Sequence, residues 1–109
     1  MNVVKAAEEW IGTPYGRGFG VKGNHTDSVS FILAITKGML EPVDGDMAIG
    51  DILEIKEPGK DSWFAVYAKN DPMRCKRIIH AKPHYGVTYD YLGTWWEKNI
   101  VGVFRECAA

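Results

Sequence analysis

Cysteine is scarce in this chain. Its 109 residues contain two, Cys75 and Cys107. They form no Cys-x-x-Cys pair and are too few for a disulfide framework, so two reduced thiols are expected, one in a strand and one near the terminus. Histidine is nearly as rare. His25, His80 and His84 lack the tight spacing of a metal-ligating set, so no metal site and no other cofactor is expected. Basic residues are not in excess. The formal net charge is −1 with no long block of one sign, which argues against nucleic acid as a partner. No apolar run approaches the roughly 20 residues of a membrane span. The first residues, MNVVKAAEEW, show no basic stretch followed by a long apolar one, so no signal peptide is visible. Internal repeats and low-complexity segments are also missing.

Apolar residues make up 46% and charged residues 25%, the balance of an ordinary globular chain, and the length suits one domain over 1–109. NVVKAAEEWIG reads as a short amphipathic helix with Val3, Ala7 and Trp10 at helical spacing, Asn2 as its cap and Gly12 as its stop. TPYGRGFGVKGNHT is a glycine-rich loop without the spacing or the Lys-Ser/Thr of a phosphate-binding loop. DSVSFILAITKGM is a second helix, capped by Thr26 or Asp27 and ended by Gly38; Val29, Phe31, Ile32, Leu33 and Ile35 make it apolar on most sides, which predicts burial in the core. The remainder reads as five strands: GDILEIK, SWFAVYAK, RCKRIIHA, GVTYDYL and NIVGVFREC. GTWWEKN, between the last two, suits a turn or one helical turn. Helices first and strands afterwards predict an α+β fold in which the helices pack on a mostly antiparallel sheet.

The order of short motifs carries a resemblance. WIGTPYGRG, TDSVSF, GDILEI, WFAVY, IIHA and YGV follow one another along nearly the whole chain. In that order the sequence resembles the NlpC-type cell-wall cysteine peptidases, a compact branch of the papain-like fold. In that family a helix ends in G-T-P-Y, D-C-S opens a buried helix, H-V-G-I-Y forms a strand and I-H-A ends the next. The resemblance implies a cysteine nucleophile at a helix N-terminus, where the helix dipole and free N–H groups favour a thiolate. It also implies a histidine base on a facing strand, a third polar residue that orients it, and a cleft tyrosine.

Residue by residue, the nucleophile position is Ser28, the base position is Trp63, the third polar position is His80 and the cleft tyrosine is Tyr15. Serine needs a strong base to become a nucleophile. Indole N–H is a donor with no basic lone pair, so Trp63 cannot supply one. Two losses in one dyad imply an inactive peptidase-like domain that acts as a binding or structural module. Its partner would be a peptide, a peptidoglycan fragment or another protein, in a cytoplasmic, phage-tail or cell-wall setting. The alternative is a peptidoglycan stem-peptide amide hydrolase in which Ser28, natural or engineered, replaces the cysteine and His80 reaches it directly. Trp63 at the base position is expected to fill the cleft. Trp63, Tyr67, Trp95 and Trp96 read either as core or as a ligand platform. Asp27 reads as a cap and Asp51 as a turn former, and His25 and His84 as loop residues.

Overall fold

The computed structural model describes residues 2–18, 20–71, 73 and 75–107. Two helices come first, α1 (Val3–Glu8) and α2 (Ser28–Thr36). They are followed by β1 (Leu40–Pro42), β2 (Ile52–Ile55), β3 (Trp63–Asn70), β4 (Lys76–Lys82), β5 (Gly86–Tyr91), α3 (Thr94–Lys98) and β6 (Ile100–Glu106). The strands form one antiparallel sheet in the order β1-β6-β2-β3-β4-β5. The α+β expectation therefore holds, with six strands in place of five. The additional strand, β1, is only three residues long and lies at the sheet edge, too short for a period-two pattern to reveal.

Both faces of the sheet are covered, and the alternation along β3 divides them. Val66 and Ala68 join Phe31, Ile32 and Ile35 of α2 and Val3 and Ala7 of α1 in one core. Ala65 and Tyr67 join Leu53, Ile55, Ile78 and Leu92 in a second core on the opposite face, against which Trp63 and Trp96 pack. Side chains of successive strand residues point to opposite faces, so one strand serves two cores. Trp10 adds an edge-on contact to Phe31 at 5.8 Å between ring centroids and joins the segment after α1 to α2.

The caps follow the sequence. Asn2 accepts a hydrogen bond from the Lys5 N–H at 3.2 Å, and Asp27 accepts one from the Ser30 N–H at 2.8 Å. Helix α2 ends through Lys37 and Gly38, both at positive φ. The expected burial of α2 on most sides is corrected. Phe31, Ile32 and Ile35 are buried, but Val29 and Leu33 are 50% and 52% exposed. Those two stand one helical turn apart, and among the described residues no further element covers them. Cys75 is exposed and lies just before β4 rather than within it, while Arg74 of the expected strand falls outside the described residues. Asp51 is buried and forms the expected turn. It accepts from the Ala48 N–H at 2.7 Å and is also clasped by Arg105 at 2.7 and 2.8 Å. Among the described residues, no helix is long and apolar enough to cross a membrane.

Candidate functional site: a tryptophan-walled cleft at the start of α2

The glycine-rich loop is tied down at both ends. Tyr15 and Thr26 form a parallel bridge, with Gly16 N–H donating to Thr26 C=O at 3.1 Å and Thr26 N–H donating to Pro14 C=O at 3.0 Å. A second bridge joins Val21 to His25. The segment before the loop is strapped to β5, because Gly12 N–H donates to Val87 C=O at 3.0 Å and Val87 N–H donates to Thr13 C=O at 2.9 Å. Gly86 permits this approach. It has φ +81°, and a Cβ there would stand 2.3 Å from the Thr13 carbonyl oxygen. These bonds hold Tyr15 in the lining of a cleft of about 410 Å³, which Ser28 also lines.

Ser28, Trp63, His80 and Tyr15 all line this cleft, so the structure gathers the four residues singled out in the sequence. Their bonding is specific. The Ser28 Oγ accepts a hydrogen bond from the Phe64 N–H at 2.8 Å, which puts the start of β3, and therefore Trp63, beside the start of α2. His80 is 3% exposed, and its Nε2 lies 3.3 Å from Asp90 Oδ2 on the neighbouring strand. Among the described residues no hydrogen bond joins Ser28 to His80. The Trp63 ring lies against the His80 ring at 5.0 Å between centroids and 35° between planes, and Trp96 meets both edge-on, at 4.9 and 5.8 Å. Trp63 therefore does not fill the cleft as the sequence suggests. It rests on His80 and forms a wall, leaving the space beside it open.

The electrostatics follow from these contacts. Burial pushes the His80 imidazole below its ordinary value, opposed by its hydrogen bond and charge interaction with Asp90. A carboxylate can only accept, so Nε2 carries the proton and Nδ1 the lone pair in the neutral ring. For Asp90, burial alone would raise the carboxyl. The bonds from Lys82, 3.0 Å away, and from His80 outweigh it and hold the group below the usual carboxylate range.

The loop after β2 brings Glu57 into the cleft lining. Its Oε1 accepts from the Trp95 Nε1–H at 2.9 Å and its Oε2 from the Trp63 Nε1–H at 3.3 Å. The Trp95 bond is the main reason this carboxyl lies below its ordinary value, with Trp63, the nearby Lys60 charge and Trp96 adding to the effect against burial. Glu57 is therefore a fixed anion at neutral pH.

Asp90 and Glu57 escaped the sequence reading. Asp90 had a usable signal, since it sits on a strand directly after the one bearing His80, two residues beyond Thr88, the partner of His80 in the ladder. Glu57 had none, because its place depends on how the loop folds back against α3. His84 is exposed at positive φ in the β4–β5 turn, and His25 is half-buried beside Gly16, where a Cβ would come 3.0 Å from its own. Neither lines the cleft. No protein-family model matches the sequence, and no curated protein matches it.

Proposed function

We propose that this chain is an NlpC-type, papain-like domain that has lost its hydrolytic chemistry and kept its cleft as a binding module for peptide or peptidoglycan stem-peptide fragments. One observation carries this reading. The residue beside Ser28 at the start of β3 is Trp63, whose indole rests on His80, while the Ser28 oxygen is held by the Phe64 amide. A serine hydroxyl needs a base within hydrogen-bond reach to attack a carbonyl. The group that bonds Ser28 is the Phe64 N–H, a donor, and among the described residues no base hydrogen-bonds the hydroxyl. The motif order along the chain and the open cleft support the family reading and the binding role respectively.

A second reading has an observation of its own. His80, neutral and bonded through Nε2 to Asp90, has the form of a base held by an orienting carboxylate, and it shares the cleft with Ser28. On this reading the module is an amide hydrolase of peptidoglycan stem peptides, with Ser28 in place of the stronger thiolate nucleophile.

One assay separates the two. Purified sacculi are incubated with the protein and with Ser28→Cys, and soluble fragments are followed by chromatography and mass spectrometry. Binding of isolated stem-peptide fragments to the unaltered protein is measured by calorimetry. The binding-module reading expects saturable binding and no fragment release by either protein. Release by the unaltered protein would establish the second reading, whereas release by Ser28→Cys alone would show that His80 and Asp90 still form a working base that does not activate the serine. The absence of both release and binding would overturn both.

A further inference from the structure

We propose that the cleft takes the ammonium group of its ligand, seated on the indoles of Trp63 and Trp96 and neutralised by Glu57. This rests on the reading of the cleft as a retained binding site and adds the chemistry that the site selects.

The argument starts from the aromatic walls. Trp63 and Trp96 meet edge to face at 76° with ring centroids 4.9 Å apart, and both line the cleft. The face of an indole is negative and attracts a cation within about 6 Å of its centroid, most strongly where water is excluded. Glu57 adds a full negative charge to the same wall, and indole N–H donors fix its position. Each of its oxygens accepts one of these bonds and retains a second lone pair for an ammonium donor.

Two of the three basic side chains in the lining are engaged with Asp90. His80 at the back is neutral and turned to Asp90, and Lys82 is also engaged with Asp90. Lys98 sits 4.7 Å over the ring of Trp95, outside the cleft lining, so a neighbouring indole of this cluster already seats an ammonium. Lys60 also lines the cleft and its charge acts on Glu57, so a ligand ammonium competes with it there; Asp61, in the same lining, adds a second carboxylate.

An apolar groove of the same shape would hold a neutral group equally well, and the test exploits that difference. The Nε1–H signals of Trp63 and Trp96 are followed by NMR during titration at constant ionic strength. Three probes are used: choline, n-butylammonium and 3,3-dimethylbutan-1-ol, the neutral isostere of choline. Probes of this size reach Kd values of about 1–10 mM.

Saturable shifts are expected for a cation, with the neutral isostere bound about tenfold more weakly. Choline alone would mark a quaternary headgroup as the natural ligand, and butylammonium alone an amine side chain; either outcome supports the assignment. Glu57→Gln, on the loop and outside the core, is expected to weaken cation binding about fivefold and leave the alcohol unchanged. Trp63→Leu is expected to weaken it as much.

Equal binding of the alcohol and choline, or shifts that stay linear for both cations, would overturn the assignment. If stem-peptide fragments bind while both cations fail, the ammonium assignment falls and the function proposed above stands. If cations bind and the fragments do not, the reverse holds.

Discussion

Replacing Gly86 with alanine tests whether the strap between the glycine-rich loop and β5 builds the cleft. Gly86 has φ +81°, and an added Cβ would lie 2.3 Å from the Thr13 oxygen, 3.1 Å from the Thr13 carbonyl carbon and 3.2 Å from the Pro14 Cα. All three are backbone atoms, so no side-chain rotation relieves the clash. A left-handed alanine costs ~1–2 kcal/mol by itself. Withdrawal of the loop also breaks the two hydrogen bonds between Val87 and the Gly12-Thr13 segment, at about 1 kcal/mol each. The total is about 3–4 kcal/mol, a fall in Tm of at least about 12 °C for a domain of this size.

Gly59→Ala is the control, because Gly59 has φ +77° and nothing within 4 Å of the added carbon. It should lose only the left-handed term, about 1–2 kcal/mol. Urea unfolding of the two variants gives the difference, and hydrogen exchange at the Gly12 and Val87 amides locates it. Because the strap carries Tyr15, Gly86→Ala should also weaken ligand binding at temperatures where it remains folded. Equal destabilisation of the two variants, with protection retained at both amides, would refute the close-approach argument.

Two further predictions concern buried charge. The His80 pKa lies below 6.5 in the folded protein, so as pH falls through 6.5 the unfolded chain binds a proton that the folded chain refuses. Stability should therefore decline below pH ~6.5, by at most about 1.4 kcal/mol per pH unit, until folded His80 also protonates; urea midpoints at pH 7.5, 6 and 5 should show this slope and its loss in His80→Gln. Asp51→Ala removes the acceptor of the Ala48 N–H and of Arg105 and should cost about 3 kcal/mol by urea unfolding, with Asp51→Asn recovering part of it through the retained amide oxygen; a loss below about 1 kcal/mol would mean that the bonds to Asp51 contribute little.

What the sequence revealed tracks the range over which each determinant acts. Caps at Asn2 and Asp27, the turn at Asp51 and the division of β3 into two faces depend on neighbours a few residues away, and each was readable. The exposure of Val29 and Leu33 was not, because a strongly apolar helix gives no sign of how many of its sides will meet a partner. Strand β1 was missed because three residues are too few for a pattern. At the site, Ser28, Trp63, His80 and Tyr15 were identified through motif order, and all four meet in one cleft. Asp90 and Glu57 were not identified, since each acquires its role from a contact across strands or from a loop folding onto α3.

Trp63 shows why a change at one position alters the meaning of its neighbours. A histidine there would bring a basic lone pair into the cleft lining. The indole instead sends its N–H to Glu57 and lays its ring on His80. That single side chain thereby links the loop after β2 to β4, helps to fix the carboxylate of Glu57 and shields an imidazole that already has its own partner in Asp90. Placing a histidine at 63 would remove one of the donors that hold Glu57 and one wall of the cleft. On the proposed function, tryptophan at this position both withholds a base and supplies a surface for an organic cation, so one substitution alters both. On the proposed function, a Ser28→Cys, Trp63→His variant is the form in which hydrolysis and loss of ammonium binding should appear together.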